Sequence, residues 1–103
     1  MALLIESRFL EVCSHVWGNA YTFECPGCMR RHTVHVRADG KTPSWTFNGN
    51  RARPTFHPAV HQTYLHGPIR HCHVRVHDGQ LTFLDDSDHI LRGKTVDMVE
   101  IHS

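Results

Sequence analysis

The sequence lacks a strong charge of either sign. Lysine and arginine together number 11, and aspartate and glutamate number 10, so the formal net charge is +1 with histidine neutral. A charge this small gives no electrostatic footprint for tight nucleic-acid binding. Eleven histidines are scattered along the 103 residues. Because histidine titrates near about pH 6.5, the protein becomes distinctly basic only on acidification.

Long hydrophobic runs are also missing. No stretch approaches the roughly 20 apolar residues of a membrane span, so we expect no membrane association. The apolar opening Met1–Ile5 is followed at once by Glu6 and Arg8, which makes it too short for a secretory signal. We therefore expect a cytoplasmic protein, in which the cysteines stay reduced and are available to bind metal.

A third absence is any long helical period or internal repeat. Several segments instead alternate apolar and polar residues between turn signals, which is typical of strands. The pattern predicts a mostly β protein, a small antiparallel sheet or sandwich of about six or seven short strands, forming one domain over residues 1–103. Residues 1–12 fit either a short helix or an edge strand. The predicted strands are Tyr21–Cys25, His32–Val36, Trp45–Phe47, Ala59–Leu65, Cys72–His77, Gln80–Leu84 and Thr95–Ile101.

The strongest motif present is Cys25-Pro26-Gly27-Cys28. Two thiolates separated by two residues on a tight turn can bind one tetrahedral zinc ion, and glycine lets the backbone turn closely. The strand-turn-strand setting predicts a zinc-ribbon-like knuckle. A redox dithiol of the same spacing usually lies in a βαβ unit, whereas strands are predicted on both sides here.

A knuckle of this kind supplies two ligands, so the others must come from elsewhere. Cys72 is the best third ligand, because it shares an inward strand face with Val74 and Val76. For the fourth ligand we favour His89, in the polar loop that follows the hairpin, over His32 and then His73. Cys13 has no partner pattern. The sequence thus predicts a Zn²⁺ site formed by Cys25, Cys28, Cys72 and His89.

A longer series of motifs resembles a family of small uncharacterised proteins of tailed bacteriophages and prophages, often labelled ammonia monooxygenase. The resemblance covers residues 21–98 and implies a phage or bacterial cytoplasmic setting with a Cys/His metal site, but no established activity. The family usually has serine where this chain has His57, and often cysteine or serine at Ser87. The motifs are Phe23–Cys28 with His32, Trp45–Asn50, Pro54–Pro58, Cys72-His73, Asp78-Gly79, Asp86–His89 and Leu91–Asp97.

These features favour a structural zinc site and an interaction or accessory role. The expected partner is a host or defence protein, or alternatively nucleic acid, since several arginines lie near Trp45 and Phe47 in sequence. The alternative is a metal-dependent hydrolase or nuclease using His73, His89 and Asp86, with Asn48 in the nuclease version. A cysteine-rich ligand set favours a closed structural site, and the His-Glu-x-x-His signature of many zinc hydrolases is absent.

Overall fold

The computed structural model describes residues 9–42 and 44–101, and within them the chain forms eight β-strands and no helix. There is accordingly no helix in these ranges that is long and apolar enough to cross a membrane. The strands are β1 (Glu11–His15), β2 (Gly18–Cys25), β3 (Arg30–Arg37), β4 (Thr46–Phe47), β5 (Phe56–Thr63), β6 (His71–His77), β7 (Gln80–Phe83) and β8 (Thr95–Asp97).

The strands form two antiparallel sheets, with strand orders β1-β2-β3 and β4-β5-β6-β7-β8. Within each sheet every strand pairs with its neighbour in sequence. Short turns connect β1 to β2, β2 to β3 and β6 to β7, whereas longer loops precede β5, β6 and β8. The predicted mostly β, antiparallel fold is confirmed. For residues 1–12 the sequence allowed a helix or a strand. Glu11 and Val12 belong to strand β1, and residues 1–8 lie outside the described residues.

Several strand boundaries differ from the prediction by one to four residues, and two of them have a clear physical reason. β5 begins at Phe56 rather than Ala59, because Phe56 and His57 pair with β4. Its register against β6 is irregular between Phe56 and Val60, and this irregularity holds Pro58, which has no N–H to donate. β8 ends at Asp97 rather than Ile101, because Asp97 already pairs with Gln80, the first residue of β7.

The core lies between the two sheets. Phe23 and Val34 come from the first sheet, and larger side chains such as Phe56 and Phe83 come from the second. At one end of this core Tyr21 contacts Phe47 and Phe56, with ring centroids 4.6 Å and 5.6 Å away. At the other end the apolar side chains give way to three cysteines and a histidine, and this end carries the candidate site.

Candidate functional site

A buried group of sulfur and nitrogen atoms joins the two sheets. Cys25 ends β2, Cys28 lies in the turn, His32 lies on β3, and Cys72 lies on β6. All four residues are buried, and one ligand atom from each lies within 4.8 Å of all the others. Cys72 is 47 residues from Cys25 along the chain. A metal ion in this group would therefore connect the β2–β3 hairpin to the second sheet.

The distances within the group fit tetrahedral zinc. With Zn–S bonds of about 2.3 Å and a Zn–N bond of about 2.0 Å, a tetrahedron has S–S edges of about 3.8 Å and S–N edges of about 3.6 Å. The Cys25 and Cys72 sulfur atoms are 3.6 Å apart, and Cys28 Sγ is 3.5 Å from His32 Nε2. Three thiols and one imidazole are also a donor set that zinc prefers.

Strand alternation explains why these side chains meet. Phe23 pairs with His32 across the β2–β3 hairpin, and both side chains point into the core. His32 therefore lies beneath the Cys25–Cys28 turn. In β6, Cys72 and Val74 are fully buried, whereas His73 and Arg75 lie on the opposite face. The inward orientation predicted for Cys72 is confirmed.

The turn itself is closed by a hydrogen bond in which the Met29 amide donates to the Cys25 carbonyl, at 2.9 Å. The left-handed residue of this turn is Met29, with φ of 61°, and not Gly27. Gly27 is needed for a different reason: a Cβ atom at this position would lie 2.2 Å from His89 Cε1. The glycine thus allows the His89 ring to lie directly on the turn.

His89, the preferred fourth ligand from the sequence, lies beside the group. Its Nε2 is 3.5 Å from Cys72 Sγ, and its ring packs edge-on against Phe83, with centroids 4.7 Å apart. It is not one of the four residues whose ligand atoms all lie within 4.8 Å of one another, and His32 is. The position of His89 fits a packing role as well as a ligand role, and its assignment as a ligand stays a prediction.

The electrostatics of the group are those of closely packed, interacting thiols and an imidazole. Hydrogen bonding to Cys25 and Cys72 holds the pKa of the Cys28 thiol far below its ordinary value, although burial opposes this. Hydrogen bonding to Cys25 and Cys28, together with burial, raises the pKa of Cys72 far above its ordinary value. Burial acts to lower the pKa of His32, but its hydrogen bonds to Cys25 and Cys28 outweigh burial and raise that pKa to about 9. A divalent ion would let all three thiols lose their protons, because it would offset the repulsion among the resulting thiolates.

Tyr64 completes the surroundings of the group, and sequence reasoning missed it. Its hydroxyl is 3.3 Å from Cys28 Sγ, and burial, followed by this contact, raises the pKa of the phenol well above its ordinary value. The Arg30 guanidinium lies 4.2 Å from the centre of the Tyr64 ring and covers it from the solvent side. Tyr64 follows β5, so its proximity to the turn depends on the packing of the two sheets, which no local pattern indicates.

A second cluster lies on the outer face of the five-stranded sheet. His61 of β5 and His73 of β6 are direct cross-strand partners, and their rings stack with centroids 4.7 Å apart. Asp86 follows β7, and its carboxylate oxygens accept from His73 Nδ1 at 2.9 Å and 3.0 Å. This hydrogen bond lowers the pKa of Asp86. His61, His73 and Asp86 also have ligand atoms mutually within 4.8 Å.

The loop carrying Asp86 is fixed to β6 by its neighbours. The Ser87 hydroxyl accepts from the His73 amide at 2.9 Å and donates to the His73 carbonyl at 3.0 Å. The Asp88 carboxylate accepts from the amides of Arg70 and His71 at 3.0–3.2 Å. These amides hold the pKa of Asp88 below its ordinary value. The loop therefore presents Asp86 outward and His89 inward.

The structure separates the residues of the predicted hydrolytic site. His73 and Asp86 meet on the outer face, but His89 lies on the other side of the sheet, against Phe83 and Gly27. Asn48 is engaged in its own loop, where Oδ1 accepts from the amides of Asn50 and Thr55.

We compared the chain with known proteins. A family model described as "Bacterial ubiquitination-like system serine protease (BubE)" matches residues 5–84. The chain belongs to this family. The BubE description names a bacterial system, so the expected bacterial relationship is supported, whereas the phage setting and the ammonia monooxygenase label are not part of it. No curated protein and no solved structure matches the chain.

Because the BubE description names a serine protease, the surroundings of each serine in this family member are of interest. In residues 9–42 and 44–101 the serines are Ser14, Ser44 and Ser87, and none of their hydroxyls is hydrogen-bonded to an imidazole. Ser87 is the nearest of the three to His73 in sequence, and its hydroxyl is hydrogen-bonded to the backbone amide and carbonyl of His73. The His73 ring is instead hydrogen-bonded through Nδ1 to the Asp86 carboxylate.

Proposed function

We propose that this BubE family member is a zinc-stabilised β domain, in which Cys25, Cys28, His32 and Cys72 bind one structural Zn²⁺, and that its partner is a protein. The observation that carries the proposal is the buried set of four ligand atoms, all within 4.8 Å of one another. Four protein ligands form a closed site with no position for water, which is typical of structural zinc.

The value of such an ion to this fold comes from its position. It would join Cys72, in the five-stranded sheet, to the hairpin that carries the other three ligands. Because a small domain has a small core, a metal cross-link between distant chain segments contributes directly to folding, with apparent binding free energies of about 10 kcal/mol or more.

The first test measures metal content and coordination. Protein loaded with one equivalent of zinc should retain one ion per chain in elemental analysis, and X-ray absorption should then show three sulfur neighbours and one nitrogen. His32→Ala should remove the nitrogen neighbour, whereas the matched variant His89→Ala should retain it. If His89→Ala loses the nitrogen neighbour and His32→Ala retains it, the fourth ligand is His89 and not His32. Fully folded protein without metal would contradict the proposal.

A protein partner is favoured over nucleic acid because two of the arginines near the aromatic residues, Arg37 and Arg53, are already engaged. Arg37 is paired with Asp39 and lies over the Trp17 ring. Arg53 forms a two-point ion pair with Asp78. Phe47 stacks on buried Phe56, with ring centroids 4.8 Å apart, and so belongs to the core rather than to a stacking surface for bases. Salt-dependent binding of single-stranded oligonucleotides would contradict this preference.

A second candidate function, hydrolysis of an amide bond, is favoured by the His73–Asp86 pair. The BubE family description names a serine protease. Asp86 orients the His73 ring through Nδ1, which leaves Nε2 to take a proton from an attacking hydroxyl or water. The resulting nucleophile would attack the carbonyl carbon, and His73 would return the proton to the departing amine. The attacking group in this version is water, because none of the serines in residues 9–42 and 44–101 has its hydroxyl bonded to the His73 ring.

Cleavage of a fluorogenic conjugate of a ubiquitin-like protein tests this second candidate. Asp86→Asn should reduce the rate by about 100-fold or more, since loss of the orienting carboxylate leaves the ring free to adopt the wrong tautomer. Asp78→Asn is the matched control, because Asp78 is also an exposed aspartate in a two-point contact but lies away from His73. Absence of cleavage by the zinc-loaded wild type would end this candidate without affecting the structural zinc site.

A further inference from the structure

We propose that His61, His73 and Asp86 form a second, solvent-exposed site for a divalent transition-metal ion, separate from the buried centre. This inference refines the second candidate function, which lacked a positioned nucleophile. The proposal starts from the register of the β5–β6 pair. His61 and His73 are directly opposite one another, so both imidazoles project from the same face of the sheet, with centroids 4.7 Å apart and planes tilted by 23°.

The third ligand is held in place before any metal binds. The Ser87 and Asp88 contacts fix the loop to β6, and Asp86 reaches His73 Nδ1 at 2.9 Å. Two ligands bound to one ion at about 2.1 Å are separated by about 3.0 Å at octahedral angles and about 3.4 Å at tetrahedral angles. The Nδ1–carboxylate contact, at 2.9 Å, is close to this range. An ion could therefore replace the proton that His73 and Asp86 share, with a small adjustment of both side chains.

The donor set defines the class of metal. Two imidazoles and one carboxylate suit zinc, cobalt, nickel or iron(II), whereas calcium and magnesium prefer oxygen ligands alone. No thiol belongs to this cluster, so its preference differs from that of the buried centre. His73 and Asp86 are partly exposed, with side-chain accessibilities of 26% and 56%. Solvent therefore reaches the remaining coordination positions, as in catalytic rather than structural sites.

The chemical consequence concerns water. A divalent ion with three protein ligands can bind water and lower its pKa enough to form hydroxide near neutral pH. Hydroxide on the ion would then be the nucleophile for the hydrolysis considered above, and His73 would act there as a metal ligand through Nδ1 and not as the base. The predicted set of His73, His89 and Asp86 had the right chemical types, but the register places His61, and not His89, beside the other two.

Cobalt titration of the 103-residue chain tests this proposal. Thiolate-to-cobalt charge-transfer absorption reports the buried centre, and weaker ligand-field bands without thiolate character report the outer cluster. We expect two ions per chain, the second without added thiolate absorption. His61→Gln and Asp86→Asn should each weaken the second ion by at least about tenfold and leave the thiolate bands unchanged. His77→Gln is the matched control, because His77 lies on the same outer face of β6, outside the cluster.

The outcomes separate the proposals from one another. A stoichiometry of one, or second-site affinity unchanged in both His61→Gln and Asp86→Asn, would overturn the outer metal site. Missing thiolate bands with a retained second ion would overturn the structural zinc site alone. A second ion that binds as expected without cleavage of the ubiquitin-like conjugate would support the site and remove hydrolysis as its function.

Discussion

Two adjacent residues of β6 face two different chemical environments. Cys72 is fully buried and meets Cys25 between the sheets, while its neighbour His73 lies on the outer face and meets Asp86. The inner group has four donors and excludes solvent, whereas the outer group has three donors and is open. Under the proposals made here, the inner face of β6 would stabilise the fold through a buried ion, and the outer face would bind a second ion that is open to solvent.

The same division occurs in the loop after β7. Asp86 points to His73, and His89 points to the buried centre, although only two residues lie between them. Ser87 and Asp88 hold the backbone between them to β6. If the inner group serves stability and the outer group serves binding or reaction, perturbations of the two should have separable effects, and the following predictions test that separation.

Removal of zinc should have the largest effect. We expect a strong chelator to unfold or loosen the domain, because the binding free energy of a buried structural ion is part of the folding free energy, about 10 kcal/mol in comparable sites. Circular dichroism during thermal unfolding, with and without chelator, measures this. Identical melting temperatures in the two conditions would contradict a structural ion.

Loss of single thiols should come next. Cys25→Ser and Cys28→Ser should each lower the free energy of unfolding by more than about 4 kcal/mol, since each removes a metal ligand. Cys13→Ser is the control: Cys13 is exposed on β1, and its substitution should change stability by no more than about 0.5 kcal/mol. Urea unfolding of the zinc-loaded proteins provides the comparison, and equal tolerance of all three changes would disprove the assignment.

A Gly27→Ala substitution tests how closely His89 is packed on the turn. The added methyl would overlap the His89 ring, so we expect a loss of about 1–3 kcal/mol. In a His89→Ala background the same change should cost clearly less, because the ring is gone. A double-mutant cycle by urea unfolding measures the coupling. The same loss in both backgrounds would mean that the turn rejects alanine for another reason.

The smallest effect is expected for Asp78→Asn, which affects neither site. Its hydrogen bond from Arg53 holds the pKa of Asp78 below the ordinary 3.8. The folded state therefore favours the charged form, and the pair contributes stability above pH 3.8 that is lost as the pH falls. Asp78→Asn should lower stability slightly at pH 7, with the difference from wild type shrinking towards pH 3. A difference that grows on acidification would reverse this assignment.

Much of the fold could be predicted from sequence because β-strands have a local signal. Alternation along Tyr21–Cys25 and Cys72–His77 indicated both the strands and their inward faces, and Asp78-Gly79 indicated the hairpin between β6 and β7. The three clustered thiols followed from the same reasoning, since Cys25-x-x-Cys28 is a local motif and Cys72 lies on the same strand face as Val74 and Val76.

Tertiary structure alone decided which histidines join which group. Every histidine has the same local chemistry, so the choice among His32, His73 and His89 depends on the pairing of Phe23 with His32 and on the path of the loop after β7. His61 entered the outer cluster through a register that the irregularity at Phe56–Val60 sets. Alternation determines the face of a strand from the sequence, but register and sheet packing depend on contacts between distant residues, and these bring the ligands together.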